Sequence, residues 1–191
     1  MLAAMRYRGP DDSGVFVDGN VGLGHVRLSI IDLSRDGRQP MSSADGDLTL
    51  SFNGEIYNYL ELKQELATEC RFQTKTDTEV LLHAYRKWGL AALHRLNGMF
   101  AFAIYDRRNR ELHLVRDRFG IKPLYYYRTG ETLFFASEPI AILRILDQAP
   151  PHSVVLCDRA RALVLSTPVT IDKPLTIRGL HARLPEGLGK T

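Results

Sequence analysis

Residues 99–105 read Met99-Phe100-Ala101-Phe102-Ala103-Ile104-Tyr105, seven apolar side chains in succession. Upstream of them the apolar residues recur at helical spacing. From Met99 onward they fill both phases of a period of two, which is the pattern of a strand covered on both faces. Such a strand needs one packed layer above it and another below it.

The flanking segments supply those layers. Thr76-Asp77-Thr78-Glu79 has the form of a capping box, and the helix it opens sets Val80, Leu81, Ala84, Tyr85 and Trp88 on one stripe. A shorter helix through Leu90, Leu93 and Leu96 is expected to stop near Asn97-Gly98. A strand from Leu48 to Phe52 runs into Asn53-Gly54-Glu55, after which Tyr59, Leu62 and Leu66 keep helical spacing behind Asn58 as an N-cap. Nearer the start, Arg8-Gly9-Pro10-Asp11-Asp12-Ser13-Gly14 is a loop by its density of turn formers. A hairpin follows: Val15-Phe16-Val17, a turn at Asp18-Gly19-Asn20, and Val21 to Ile31. Beyond residue 105, Asp106 to Arg110 is a polar turn into Leu112 to Val115, and Pro123 to Tyr127 with Thr132 to Ala136 makes a further hairpin around Thr129-Gly130. Strands, then helices, then strands is the order of an α+β fold, with helices on largely antiparallel sheets.

At 191 residues, with 45% hydrophobic and 25% charged residues, the chain has the composition of an ordinary globular domain with a sizeable core. No apolar run approaches the roughly 18 residues that span a bilayer, and Met1 to Arg8 lacks the apolar core of a signal peptide, so neither a membrane nor secretion is expected and the cytoplasm is the default compartment. The formal charge of +3 is unevenly placed. Residues 1–147 hold 19 Lys/Arg against 19 Asp/Glu, and residues 148–191 hold six against three. That excess is too small to argue for nucleic acid. Cys70 and Cys157 stand far apart, outside any metal-binding spacing, and read as free thiols of a reducing compartment.

The residues with chemical promise are few. Asn53-Gly54 offers a side-chain amide beside an unhindered backbone N–H, two donors that could hold a developing oxyanion; the same dipeptide is also common strand-to-helix punctuation. Arg27 is a charge inside an apolar strand, directed either to solvent or to a carboxylate that it clamps with two bonds. Asp77 begins a helix, where carboxylates belong, or serves as counter-ion to an ammonium group. Together the three would suit a free amino acid whose side-chain carbonyl is attacked.

Here the chain resembles a known family. Arg8-Gly9-Pro10-Asp11, Arg27-Leu28-Ser29-Ile30-Ile31-Asp32, Gln39-Pro40-Met41, Phe52-Asn53-Gly54-Glu55-Ile56-Tyr57-Asn58, Thr76-Asp77-Thr78-Glu79, Gly98-Met99-Phe100-Ala101-Phe102, Arg116-Asp117-Arg118-Phe119-Gly120-Ile121-Lys122-Pro123-Leu124-Tyr125 and Ala136-Ser137-Glu138 are similar, in order, to the motifs of the class II glutamine amidotransferase domain of glutamine-hydrolysing asparagine synthetases. Phe52 before Asn-Gly, and the long signature from Arg116, point to that branch rather than to other class II amidotransferases. The resemblance implies a four-layer αββα sandwich of the N-terminal-nucleophile hydrolase type, in which an N-terminal cysteine attacks the glutamine amide with its own α-amine as base. It implies that Arg27 binds the substrate carboxylate and Asp77 its ammonium. It further makes Asn53 and Gly54 the oxyanion hole, with Leu28, Ile30 and Glu55 on the substrate pocket. Glutamine is the implied ligand. The resemblance implies no cofactor or metal in this domain; ATP and Mg²⁺ belong to the family's synthetase domain, which receives the ammonia and is not expected within these 191 residues.

Two departures set further expectations. The family's cysteine is absent, since the chain begins Met1-Leu2-Ala3-Ala4-Met5, which reads as the end of a helix with roughly 20 residues missing before it by ordinary element lengths. Glutamine hydrolysis by the family mechanism is therefore not expected; the alternative is a degenerate module that holds glutamine or glutamate without chemistry. An incomplete sandwich also leaves strand edges unpaired and favours self-association. The resemblance covers residues 1–146, and residues 147–191 form a β-rich tail, where Thr167 to Leu180 is similar to the opening coil of right-handed parallel β-helix proteins. Gly189-Lys190-Thr191 lacks the glycine a phosphate loop requires at position 184, which is Leu.

Overall fold

The computed structural model describes residues 1–129 and 132–146. Cys157 and the β-helix-like stretch from Thr167 to Leu180 lie outside the described residues. The elements are α1 (Leu2–Met5), β1 (Asp12–Asp18), β2 (Val21–Arg27), β3 (Met41–Ser42), β4 (Leu48–Ile56), α2 (Tyr59–Leu66), α3 (Asp77–Trp88), β5 (Gly98–Asp106), β6 (Glu111–Arg116), β7 (Tyr125–Thr129), β8 (Thr132–Ala136) and α4 (Pro139–Leu146).

The two-faced strand is β5, and it lies inside an antiparallel sheet of order β3-β4-β5-β6. Its even positions, Phe100, Phe102 and Ile104, pack with Leu50, Phe52 and Ile56 of β4 against Leu62 and Leu66 of α2 and Val80, Leu81, Ala84 and Tyr85 of α3. Its odd positions, Ala101, Ala103 and Tyr105, join Leu112 and Leu114 on the opposite face and meet Val21, Leu23, Phe16, Leu133 and Phe135 of the two hairpins β1-β2 and β7-β8. The outer side of those hairpins is covered in turn by α1 and α4, through Met5, Ala136, Ala141 and Ile142. The molecule is thus an α+β sandwich of four layers, αββα. Each fully buried Leu, Ile or Phe in it contributes about 1.5–3 kcal/mol.

Several local expectations change in the folded chain. The strand expected from Val21 to Ile31 ends at Arg27, whose guanidinium binds the carbonyls of Asp32 and Ser34 and draws the following loop back over the strand end. Asn58 stands at the start of α2 without capping it. Its amide donates to Arg95 O (2.9 Å) and its Oδ1 accepts Asn97 N–H (2.9 Å), which ties the helix start to the end of the 3₁₀ turn Gly89–His94 that replaces the expected short helix. At α3, Thr76 Oγ1 caps Glu79 N–H at 3.2 Å. The reciprocal half of the box is displaced upstream: Thr74 Oγ1 takes the Thr76 N–H, and the Glu79 carboxylate accepts from Gln73 N and Thr74 N, both at 2.7 Å.

The largest difference concerns Asn53-Gly54. The strand does not end before them; β4 continues to Ile56, with Asn53 opposite Ala101 and Gly54 opposite Phe100. Glycine is required at 54 by close approach rather than by a turn, because a Cβ there would lie 2.3 Å from Met99 O and 2.7 Å from Phe100 Cα.

Candidate functional site

Between the four-stranded sheet and the hairpin layer lies a cavity of about 320 Å³ whose lining includes Arg27, Leu28, Ile30, Asn53, Gly54 and Asp77. Residues spread over 51 positions of sequence are brought together because β2 and β4 belong to facing layers and α3 starts at the end of β4.

Arg27 is 8% exposed, which removes the solvent-facing alternative. Its Nη1 donates to Ser34 O at 2.8 Å and its Nη2 to Asp32 O. A Cβ on Gly37 would sit 2.3 Å from Nη2, so the glycine makes room for the guanidinium. Among the described residues Arg27 forms no ion pair, and its remaining donors are available to an anion in the cavity. Asp77 is 5% exposed; burial pushes its carboxyl up, against the N–H groups of Ile56 and Thr78 and with the repulsion of Glu55. Its Oδ2 accepts Ile56 N–H at 3.0 Å. A buried carboxylate of this kind gains from a cation placed beside it.

The edge of β4 completes the arrangement. β3 pairs with β4 only at Met41↔Leu50 and Ser42↔Thr49, so beyond Leu50 that edge is open. Phe52 N–H is taken there by Gln39 Oε1 at 2.6 Å and Ile56 N–H by Asp77. Strand alternation directs Gly54 N–H to the same edge, between them. Phe100 N–H points the other way, to Asp117 Oδ2, as it must in a pair that exchanges no bonds. On the cavity face of the same strand, the Asn53 amide donates to Ser137 Oγ at 3.3 Å. A backbone donor and a side-chain amide therefore flank one end of the cavity, with a guanidinium and a carboxylate near by.

Leu28 and Ile30 stand at the rim, with Ile30 77% exposed. Glu55 does not join the lining. It is exposed, beyond Asn53 on the same strand face. Sequence reading gave no role to Gln39, His25, Ser51 or Ser137, which also line the cavity. Gln39 and Ser137 occur in family-like motifs, but nothing in their spacing indicates that one satisfies Phe52 N–H and the other meets an amide 84 positions away.

His25 Nδ1 lies 3.4 Å from Ser51 Oγ. Burial first, and then the nearby Arg27 charge, hold its imidazole down to about 4 from the ordinary 6.5, against the pull of Asp12. In the unfolded chain the ring takes up a proton below about 6.5, whereas the folded protein takes it up only near 4. Stability should fall as pH drops through that window, by up to about 3 kcal/mol. Denaturant unfolding at pH 7 and pH 4.5 should show a smaller difference in His25→Asn than in the parent; equal differences would refute the assignment.

The model of the glutamine amidotransferase domain family matches residues 1–168. Asparagine synthetase [glutamine-hydrolyzing] 1 of Bacillus subtilis is 50% identical over 133 residues, which cover 69% of this chain and 21% of that protein. Asparagine synthetase [glutamine-hydrolyzing] 2 of the same organism is 46% identical over 138 residues, 72% of this chain and 18% of that one. The chain spans less than a third of the length of the curated relatives it matches. Among solved structures, glutamine phosphoribosylpyrophosphate amidotransferase from B. subtilis superposes with a TM-score of 0.68 at 24% identity, covering 86% of this chain and 43% of that one; this likeness concerns the fold alone. No helix among the described residues is long and apolar enough to cross a membrane.

Proposed function

Because the chain belongs to the glutamine amidotransferase domain family, we propose that its cavity is a glutamine site of the asparagine synthetase type. Arg27 receives the α-carboxylate, Asp77 the α-ammonium, and the Asn53 amide with Gly54 N–H the side-chain carbonyl oxygen. Leu28 and Ile30 cover the ligand at the rim. The observation that carries this reading is the convergence of a buried unpaired guanidinium, a buried carboxylate and two amide donors on one cavity. It is the complement of an amino acid with a terminal carboxamide.

Hydrolysis in the family's manner needs a thiol beside the Asn53 and Gly54 donors, with an amine as base. Cys70 does not meet that need. It packs on the far side of the sheet with the α2–α3 core, its Sγ donates to Leu66 O at 3.0 Å, and burial raises its thiol pKa. Neither Cys70 nor Cys157 is N-terminal, so neither has its own α-amine as base, and a polypeptide of these 191 residues alone is proposed to bind glutamine without releasing ammonia. In a longer chain like its relatives, ammonia made at this site would serve an ATP- and Mg²⁺-dependent synthetase portion that amidates aspartate. The free Cys70 accords with a reducing, cytoplasmic setting.

Titration calorimetry tests the site. The 191-residue polypeptide should bind glutamine at millimolar or tighter affinity, and Asp77→Asn should weaken binding about 10- to 100-fold through loss of the ammonium partner. The Asn oxygen can still accept Ile56 N–H, so folding should be kept. No heat with the parent polypeptide would overturn the proposal.

A further inference from the structure

Ala136-Ser137-Glu138 joins β8 to α4, and the residue that follows Ser137 is anchored on both its side chain and its main chain. Glu138 forms an ion pair with Arg8, and its carbonyl accepts Ala141 N–H at 3.2 Å. Ser137 is thereby held between the strand end and the helix start, with its hydroxyl 3.3 Å from Asn53 Nδ2. Both residues line the cavity.

A carboxamide nitrogen carries two N–H groups in one plane, and its carbonyl oxygen lies in that plane too. Rotation about the last side-chain bond decides whether an N–H or the oxygen meets a ligand, and that torsion is broad and weakly restrained in asparagine. We propose that Ser137 is the positioning residue of the Asn53 amide. Its Oγ accepts one N–H and so holds the second toward the cavity, beside Gly54 N–H. Without the hydroxyl the amide turns freely, and half of its orientations present oxygen to oxygen. The inference rests on the reading that Asn53 meets a carboxamide oxygen, and it adds the group that makes Asn53 a donor there. Arg8 and Glu138 support Ser137 in the same way one step further out.

The test has two independent readouts on the 191-residue polypeptide. In ¹⁵N-resolved spectra, the Asn53 side-chain amide, assigned by its loss in Asn53→Ala, should shift and exchange faster with solvent in Ser137→Ala and stay near its original position in Ser137→Thr. In calorimetry, Ser137→Ala should weaken glutamine about 3- to 10-fold while leaving L-norvaline, which lacks the carboxamide, within about twofold; Ser137→Thr should restore glutamine. An unchanged Asn53 signal in Ser137→Ala overturns the inference, and so does an equal loss for both ligands, which marks a merely structural serine. If the parent binds no glutamine, the glutamine site itself is refuted and the amide signal alone decides the role of Ser137.

Discussion

Asp117→Ala should lower the free energy of unfolding by at least about 4 kcal/mol, the largest single-residue effect expected on stability. Asp117 is 2% exposed, and its carboxylate is surrounded by main-chain donors. Oδ1 accepts Phe119 N and Ile121 N, both at 3.0 Å, and Oδ2 accepts Lys122 N at 3.0 Å and Phe100 N at 3.1 Å. Burial alone would push its pKa up, but the N–H groups of Lys122, Ile121, Phe100 and Phe119 outweigh burial and hold it below the usual carboxylate value. Alanine removes four hydrogen bonds to a charged acceptor, each worth about 1.5–3 kcal/mol, and leaves the buried Phe100 N–H without a partner. Domains of this size are stable by about 5–15 kcal/mol, so the variant should melt far below its parent.

Asparagine is not a rescue at this position. Each carboxylate oxygen serves two donors, and an amide nitrogen in place of either would face two N–H groups with two more. Asp117→Asn should therefore lie nearer to alanine than to the parent in chemical denaturation. A loss below about 1 kcal/mol in both variants would mean that water replaces the carboxylate. Linkage gives the same group a pH signature. Its folded pKa is depressed, so its contribution is present above the ordinary value of 3.8 and is lost as pH falls through the folded pKa.

Arg27→Ala should abolish measurable glutamine binding, a loss of 100-fold or more if a buried charge-assisted pair is worth about 3–5 kcal/mol. Two effects combine. The guanidinium is the only buried cation among the described lining residues, and it holds the loop after β2 by the carbonyls of Asp32 and Ser34. Arg27→Lys should bind almost as poorly, because one ammonium cannot hold two loop carbonyls and a bidentate ligand together. Calorimetry alongside a thermal melt separates the effects: lost binding with a preserved melt assigns the residue to the site. Binding within threefold of the parent in Arg27→Ala would refute the carboxylate clamp.

The legible part of this fold was its layering. The stripe of Val80, Leu81, Ala84 and Tyr85, the cap at Thr76 and the two-phase apolar run of β5 are all local or periodic features, and each occurs as read. Long motifs made the family recognisable, and Arg27, Asn53, Gly54 and Asp77 do meet at one cavity. Glu55 was less legible. Its strand phase puts it on the same face as Asn53, but how far a cavity extends along a strand depends on where the opposite layer ends. Asn58 has the composition and place of a cap, yet Arg95 and Asn97 compete for its side chain and win.

The amino-acid sequence by itself determined the apolar faces of α2, α3 and β5, because those follow from the alternation of apolar side chains over a few neighbouring positions. Only the tertiary structure decided what the polar groups do. Whether Gly54 N–H is a ladder donor or a free one depends on β3 ending at Ser42. Whether Arg27 faces water or a cavity depends on a loop that folds back onto it. The direction of the Asn53 amide depends on a serine 84 residues away. A hydrogen bond needs its partner within about 3 Å and in line, and that geometry is set by packing between layers.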